Sequence, residues 1–209
     1  YGTADSSNYA STHANTNKST ILTNLEVWYE KNLASYEEKL ADTIWCNDKS
    51  TRSGNLGYEI NVTYYGAYNR LVSTKTSTLK CSDDNNSGKL SKFTVDDTTN
   101  GNGNLTYKVG LLIADEITLA GSSGNGSHNH STYLQENAGE NCWRTLSPDV
   151  FYAYSKGGDS ASIFDVRSGG TGSLGTNGVS NAIRPAISLV SDITISGGTG
   201  TSEDPYVVN

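Results

Sequence analysis

Apolar and polar positions alternate along this chain with two periods, and each period marks a different kind of element. Between residues 19 and 33 the apolar side chains Ile21, Leu22, Leu25, Trp28, Tyr29 and Leu33 recur at three- and four-residue steps. That spacing places them on one helical stripe, which Ser19 or Thr20 can cap. Core packing is the expected role of both Trp28 and Tyr29. Ser35 and Glu38 stand at capping-box spacing and predict a second short helix over 36–41. Residues 1–18 are rich in Ser, Thr and Asn without apolar periodicity, and read as a linker or N-terminal arm.

Further on, shorter runs take over. Thr43-Ile44-Trp45-Cys46 reads as a short strand ahead of the polar turn at 47–50. Tyr64, Tyr65 and Tyr68 cluster around Gly66, where aromatic packing beneath loops is preferred to a sugar-stacking platform. The stretch from Ser82 to Asn104 is polar and predicts a solvated loop. Its Asp83-Asp84 and Asp96-Asp97 pairs lack the alternating ligands and terminal Glu of an EF-hand. Val109 to Ile113 is the strongest buried-strand signal. Ala114 to Ala120 then predicts a two-turn helix, acidic at its start and stopped by Gly121. Thr194 to Val208 predicts a terminal hairpin.

Between Cys142 and Val190 the pattern changes character. Cys142 to Leu146 alternates like a strand and is expected to stop at Ser147-Pro148. Ile183 to Val190 is a second strand-like border. Between the borders lie Gly, Ser, Asp and Tyr, with apolar islands only at Ile163-Phe164, Val166, Leu174 and Val179. Loops on a rigid scaffold are where recognition usually sits, so residues 142–190 predict a displayed binding surface.

Composition narrows the class. The chain has 209 residues, enough for one sizeable core, and carries a formal charge of -7 without a Lys/Arg cluster. An acidic surface offers no footprint for phosphate backbones or anionic lipid, which argues against nucleic-acid and membrane partners. No apolar run approaches the ~20 residues of a membrane helix. The chain begins at Tyr1, which leaves room for a signal or anchor segment upstream. Its three cysteines form no C-x-x-C pair. In an oxidising compartment Cys46 and Cys81 can join and close a loop worth roughly 3–4 kcal/mol; the alternative is three reduced, buried thiols. His128-x-His130, with His13 the only histidines, stands in a Gly/Ser loop and reads as exposed side chains, so neither a metal nor another cofactor is expected. The six Asn-x-Ser/Thr matches, at Asn17, Asn61, Asn85, Asn104, Asn125 and Asn129, mark surface.

Five phrases occur in a telling order: Ala41 to Ser50, Gly110 to Gly121, Trp143 to Pro148, Ile183 to Leu189 and Gly200 to Val208, spread over about four-fifths of the chain. In combination they resemble the secreted, Firmicutes-type bacterial proteins of C-type-lectin fold. These are related to the variable target-binding proteins of diversity-generating retroelements and to pilin-like adhesins. The resemblance implies an α+β fold in which two N-terminal helices pack on a small, twisted, mainly antiparallel sheet with long irregular loops. It implies a single domain over 19–209, with its display surface in 142–190. Trp143, Leu146 and Pro148 would open the variable face. Arg184 and Pro185 would fix its far end, with Arg184 paired internally.

On that reading the displayed side chains are Asp149, Tyr152, Tyr154, Ser155, Asp159, Ser160, Ser162, Asp165, Arg167, Thr171, Ser173, Thr176, Asn177, Ser180 and Asn181. Tyr with Ser, Asp and Asn is also the palette of antibody paratopes. Adenine-directed mutagenesis of Asn codons cannot produce Lys, Glu, Gln, Met or Trp, and residues 149–182 hold only Lys156 of those types. Cys142 stands where the family commonly has an aromatic, and Ile183 replaces the usual Gly before Arg-Pro. The implied role is an extracellular or cell-surface adhesion module for a protein or glycan receptor on another cell, phage or host surface, and not an enzyme. A structural filament subunit that self-assembles is the alternative. A formylglycine-generating type of oxidase shares the fold but needs a poised cysteine pair, which the spacing does not offer. A calcium-dependent sugar lectin needs a Glu-Pro-Asn type of motif, which is absent.

Overall fold

The structure is a computed structural model and describes residues 16–52, 62–82, 89–122, 134, 142–152, 160–167, 170–175 and 182–209. Its first helix, α1 (Thr20–Asn32), starts where the sequence places it, with the Ser19 hydroxyl accepting the Leu22 N–H at 3.1 Å. Leu25 and Tyr29, four residues apart, are buried with Leu40, Val109 and Leu111, and Ile21, Leu33, Tyr107, Leu146 and Ile183 pack around them. The Tyr29 ring stacks on Tyr107 at 4.7 Å. Trp28 departs from its expected core role and stays 38% exposed. It lies on the flank of the stripe, about 100° around the helix from Tyr29, and the core partners sit on the other side. After α1 a 3₁₀ segment (Ala34–Lys39) replaces the predicted second α-helix. Its cap position is Leu33, which has no hydroxyl to offer, and Tyr36 breaks the helical backbone, so the Ser35–Glu38 box does not start it.

Strand β1 (Trp45–Cys46) pairs antiparallel with β3 (Lys92–Phe93), which lies inside the stretch expected to be solvated loop. Two residues are too few to show a period, but the pairing is anchored. The Asn47 and Lys49 N–H groups reach the buried Ser91, at its carbonyl and hydroxyl. Cys46 is joined to Cys81 in a disulfide, 35 residues apart. Strand β2 (Thr63–Tyr64) leads into a helical turn, α2 (Gly66–Tyr68), which widens into a π-type turn over Asn69–Thr74.

Val109 to Ile113 is largely buried, as its apolar run suggests, but it forms no ladder strand. It makes one antiparallel bridge, Gly110 to Ala186, and accepts the Leu146 N–H at the Leu112 carbonyl. Glycine is required there: a Cβ at Gly110 would stand 2.3 Å from the Trp45 indole. Helix α3 (Ala114–Leu119) follows as predicted and ends at Gly121 with φ +105.

The principal sheet has the order β2-β4-β5-β6, all antiparallel, with β4 Trp143–Tyr152, β5 Ser160–Arg167 and β6 Gly170–Gly175. This corrects two expectations. Strand β4 does not stop at Ser147-Pro148. It runs through them with register shifts on both sides of Pro148, where a residue without an N–H is tolerated. Much of the polar run that follows is strand, in a central position and buried on both faces, so Ile163 to Val166 shows no alternation. The expected terminal hairpin is present as β7 (Ile195–Gly197) and β8 (Val207–Val208). The molecule is thus α+β with small antiparallel sheets. Among the described residues no helix is long and apolar enough to cross a membrane.

The disulfide has a direct check. Under denaturing, non-reducing conditions alkylation should add one adduct per chain, at Cys142, and reduction should raise the number to three. Replacing Cys46 and Cys81 together should lower unfolding free energy by roughly 3–4 kcal/mol, the loop-closure value for this separation. Three adducts without reductant would refute the bond.

Candidate functional site

A display surface needs a frame, and the frame is built from both borders of the 142–190 window. Trp143 is 1% exposed and packs with Ile117 of α3 and Val166 of β5. The Arg184 guanidinium lies over its ring, 5.3 Å from the centroid. The two borders are also stitched by backbone: Arg144 donates to the Ala182 carbonyl and Ala182 donates to the Cys142 carbonyl. Beyond Ala182 the extended chain exchanges two hydrogen bonds between Ala186 and Gly110. It then binds the 39–41 segment through Ser188 and Val190. One run of nine residues therefore ties β4, the 109–113 run and the end of the 3₁₀ segment together.

Polar side chains lock β4 to its neighbours. The Thr145 hydroxyl donates to the Phe164 carbonyl at 2.7 Å, and the Ser147 hydroxyl accepts the Ala114 N–H at 2.9 Å, capping α3 from another element. The Ile113 N–H, at the cap position, is taken by the Glu116 carboxylate at 2.8 Å. Burial pushes the Glu116 carboxyl above its ordinary range, the Ile113 N–H draws it part of the way back, and the charge of Asp115 adds to the rise.

Behind the sheet sits an ion triad. Arg70 forks onto Asp115, with Nε to Oδ1 and Nη2 to Oδ2 both at 2.9 Å, while Nη1 reaches Asp48 at 2.6 Å. Asp115 is 0% exposed and also accepts the Thr78 N–H; Asp48 accepts the Ser50 N–H. Burial alone would disfavour the Arg70 charge, but the bonds to Asp115 and the attraction of both carboxylates more than offset it and hold the guanidinium firmly protonated. Gly66 is part of the fit, because a Cβ there would stand 2.3 Å from the Ser50 hydroxyl and 2.9 Å from Asp48. The triad pins elements; its lone pairs and protons are spent on one another.

Against this frame the predicted display residues separate. Asp149 and Asp165 are not displayed: both are buried, and this corrects their assignment to the exposed face. Asp149 accepts the Ser162 hydroxyl at 2.9 Å while its carbonyl takes the Tyr65 N–H, so it holds β5 and β2 to β4. Asp165 stands directly across the ladder from the buried Arg144. Ser162 is half-buried in the same contact. Tyr152 and Ser160 face each other where β4 ends and β5 begins. Arg167, Thr171 and Ser173 lie on the β5–β6 hairpin, opposite Gly170, Val166 and Phe164. Tyr154, Ser155, Asp159, Thr176, Asn177, Ser180 and Asn181 lie outside the described residues, as do His13, His128 and His130.

Strand direction fixes where the two segments that carry those seven leave the sheet. Antiparallel order puts the end of β4 (Tyr152), the start of β5 (Ser160) and the end of β6 (Gly175) at one end of the sheet. Segment 153–159 therefore attaches at that end on both sides, whereas segment 176–181 leaves from that end and rejoins the sheet at Ala182, beside Trp143 at the opposite end of β4. Strand β2 brings Tyr64 to the same end, across from Val150, with its ring against Tyr68 at 4.6 Å. The local sequence favours packing over a stacking platform for this Tyr pair. Its tie to the window runs through a strand pairing about ninety residues long-range, which no local pattern signals. Among the described residues no group of three or more His, Cys, Asp or Glu side chains is placed to hold a metal ion.

No family model, curated protein or solved structure matches this chain.

Two measurements test the frame. Arg70→Met strands two buried carboxylates and should cost about 3–5 kcal/mol in chemical denaturation. Arg70→Lys, which keeps the charge but not the fork, should fall between it and the parent. For Glu116 the folded carboxyl holds its proton more tightly than the unfolded one. Its contribution to stability is therefore present at low pH and declines as pH rises from the ordinary carboxylate range through the raised value. Thermal melts should show Glu116→Gln gaining on the parent as pH rises above the ordinary carboxylate range. A difference in Tm that stays flat or reverses would contradict this.

Proposed function

We propose that this chain is an extracellular ligand-binding or adhesion module on a C-type-lectin-like fold, with a polar and aromatic face directed at a protein or glycan receptor. The observation that carries the reading is that segment 153–159 and the start of segment 176–181 leave one end of a sheet whose two borders are locked together. Such a frame lets the intervening side chains change without moving their supports, which is what a display surface demands. Seven of the candidate positions stand in those two segments, and their side chains match the palette of adaptable paratopes. The resemblance of the five ordered phrases to C-type-lectin-fold target-binding proteins favours the same reading. The Cys46–Cys81 disulfide fits an oxidising compartment, and so an extracellular or cell-surface location.

The test is a binding screen with its own stability control. The labelled chain is probed on arrays of glycans and cell-surface proteins, beside a variant in which Tyr154, Ser155, Asp159, Thr176, Asn177, Ser180 and Asn181 are all alanine. The variant should still unfold cooperatively and melt within about 14 °C of the parent, since seven changes of at most ~0.5 kcal/mol each total no more than ~3.5 kcal/mol. It should lose at least about tenfold in affinity, or ~1.4 kcal/mol, for whatever the parent binds. Binding that survives all seven substitutions unchanged would sink the proposal.

A further inference from the structure

Trp28 leaves the core and stands over an opening. A cavity of ≈ 200 Å³ lies between α1 and the border strand, lined by Asn24, Leu25, Trp28, Ile183 and Pro185. Asn24 and Trp28 are four residues apart on α1, so amide and indole share one rim. Asn24 is exposed, and its side chain makes no hydrogen bond among the described residues. The lining is an indole, two aliphatic side chains, a proline ring and one amide that makes no hydrogen bond among the described residues. None of the five is charged, although the chain carries -7.

We infer that this cavity is a binding site for one neutral pyranose ring. A pyranose has an apolar C–H face and an equatorial fringe of hydroxyls. The first suits the partly exposed indole of Trp28, whose burial is favourable. The second suits a primary amide, which offers both donors and an acceptor to adjacent hydroxyls. The size agrees, since the cavity falls below the ~300–1,000 Å³ of pockets for drug-sized ligands and takes a single ring. Neutral walls give nothing to pair with a charged substituent, which excludes uronic or sialic acids as the ring in contact. The site needs no metal. None of its lining residues belongs to the 153–159 or 176–181 segments, and the inference stands whether or not those bind a receptor.

The chain carries its own probe. Of its three tryptophans, Trp45 and Trp143 are 8% and 1% exposed, so a neutral quencher such as acrylamide reports almost wholly on Trp28. The chain is titrated with a panel of methyl pyranosides (gluco, galacto, manno and N-acetylglucosamine) and with cyclohexylmethanol as an apolar ring of similar size. At least one pyranoside should cut the quenching constant of Trp28 by about half at saturation, and Asn24→Ala, which alters an exposed side chain, should weaken its binding about tenfold. Trp28→Ala should abolish the saturation-transfer NMR signal of the same sugar; should that variant fail to fold, the Asn24 comparison decides alone. Protection by no pyranoside at tens of millimolar would overturn the inference. So would equal protection by cyclohexylmethanol with no effect of Asn24→Ala, which would leave only a generic apolar hollow.

Discussion

Arg70 is the constraint on which the rest of the molecule depends. Its guanidinium holds Asp48 and Asp115, residues that stand 22 positions before it and 45 after it. Leaving either carboxylate buried and unpaired would cost several kcal/mol, so the three segments must arrive together or not at all. Asp115 lies in the first turn of α3, and once α3 is placed its next residues set the sheet: Ala114 packs with Phe164, and Ile117 with Trp143 and Val166. The disulfide works in the same region. It closes a loop that contains both Asp48 and Arg70, which shortens the search for the triad in the unfolded chain.

The second organising device is neutral. Residues 182–190 make no regular strand, yet they give backbone hydrogen bonds to three separate parts of the chain. An extended segment with partners along its length behaves like a seam, and cutting any one contact leaves the others in place. Its near end is fixed at the start of β4 by Ala182 and by the Arg184 side chain over Trp143. Its alternate residues Ile183 and Pro185 face α1 and form one wall of the cavity under Trp28. The seam thus serves two surfaces: it closes the window that carries the display candidates and it shapes the small cavity beside it.

Buried acids complicate any reading of display from composition. Asp149 and Asp165 have the residue type of a polar surface, yet both lie inside the sheet, where hydrogen bonding or a facing cation offsets the loss of water. Their placement makes Asp149 and Asp165 framework positions, where a substitution is expected to change stability.

Several elements were legible before any coordinates because their cause is local. Helix α1 follows from a stripe at 3.6-residue spacing with Ser19 ahead of it, α3 from a short apolar turn with acids first and Gly121 after, and the terminal hairpin from alternation around glycines. Interactions within four residues decide such elements, and the sequence displays them directly. What depended on distant partners was not legible. Spacing could not choose between a Cys46–Cys81 bond and free thiols. Ile163 to Val166 shows no alternation because its neighbours bury both of its faces. Trp28 and Tyr29 are equally apolar, but only the side on which Val109 and Leu111 pack became core. The triad is the extreme case: an arginine and two aspartates, unremarkable in their own surroundings, acquire meaning only when folding removes water from all three at once.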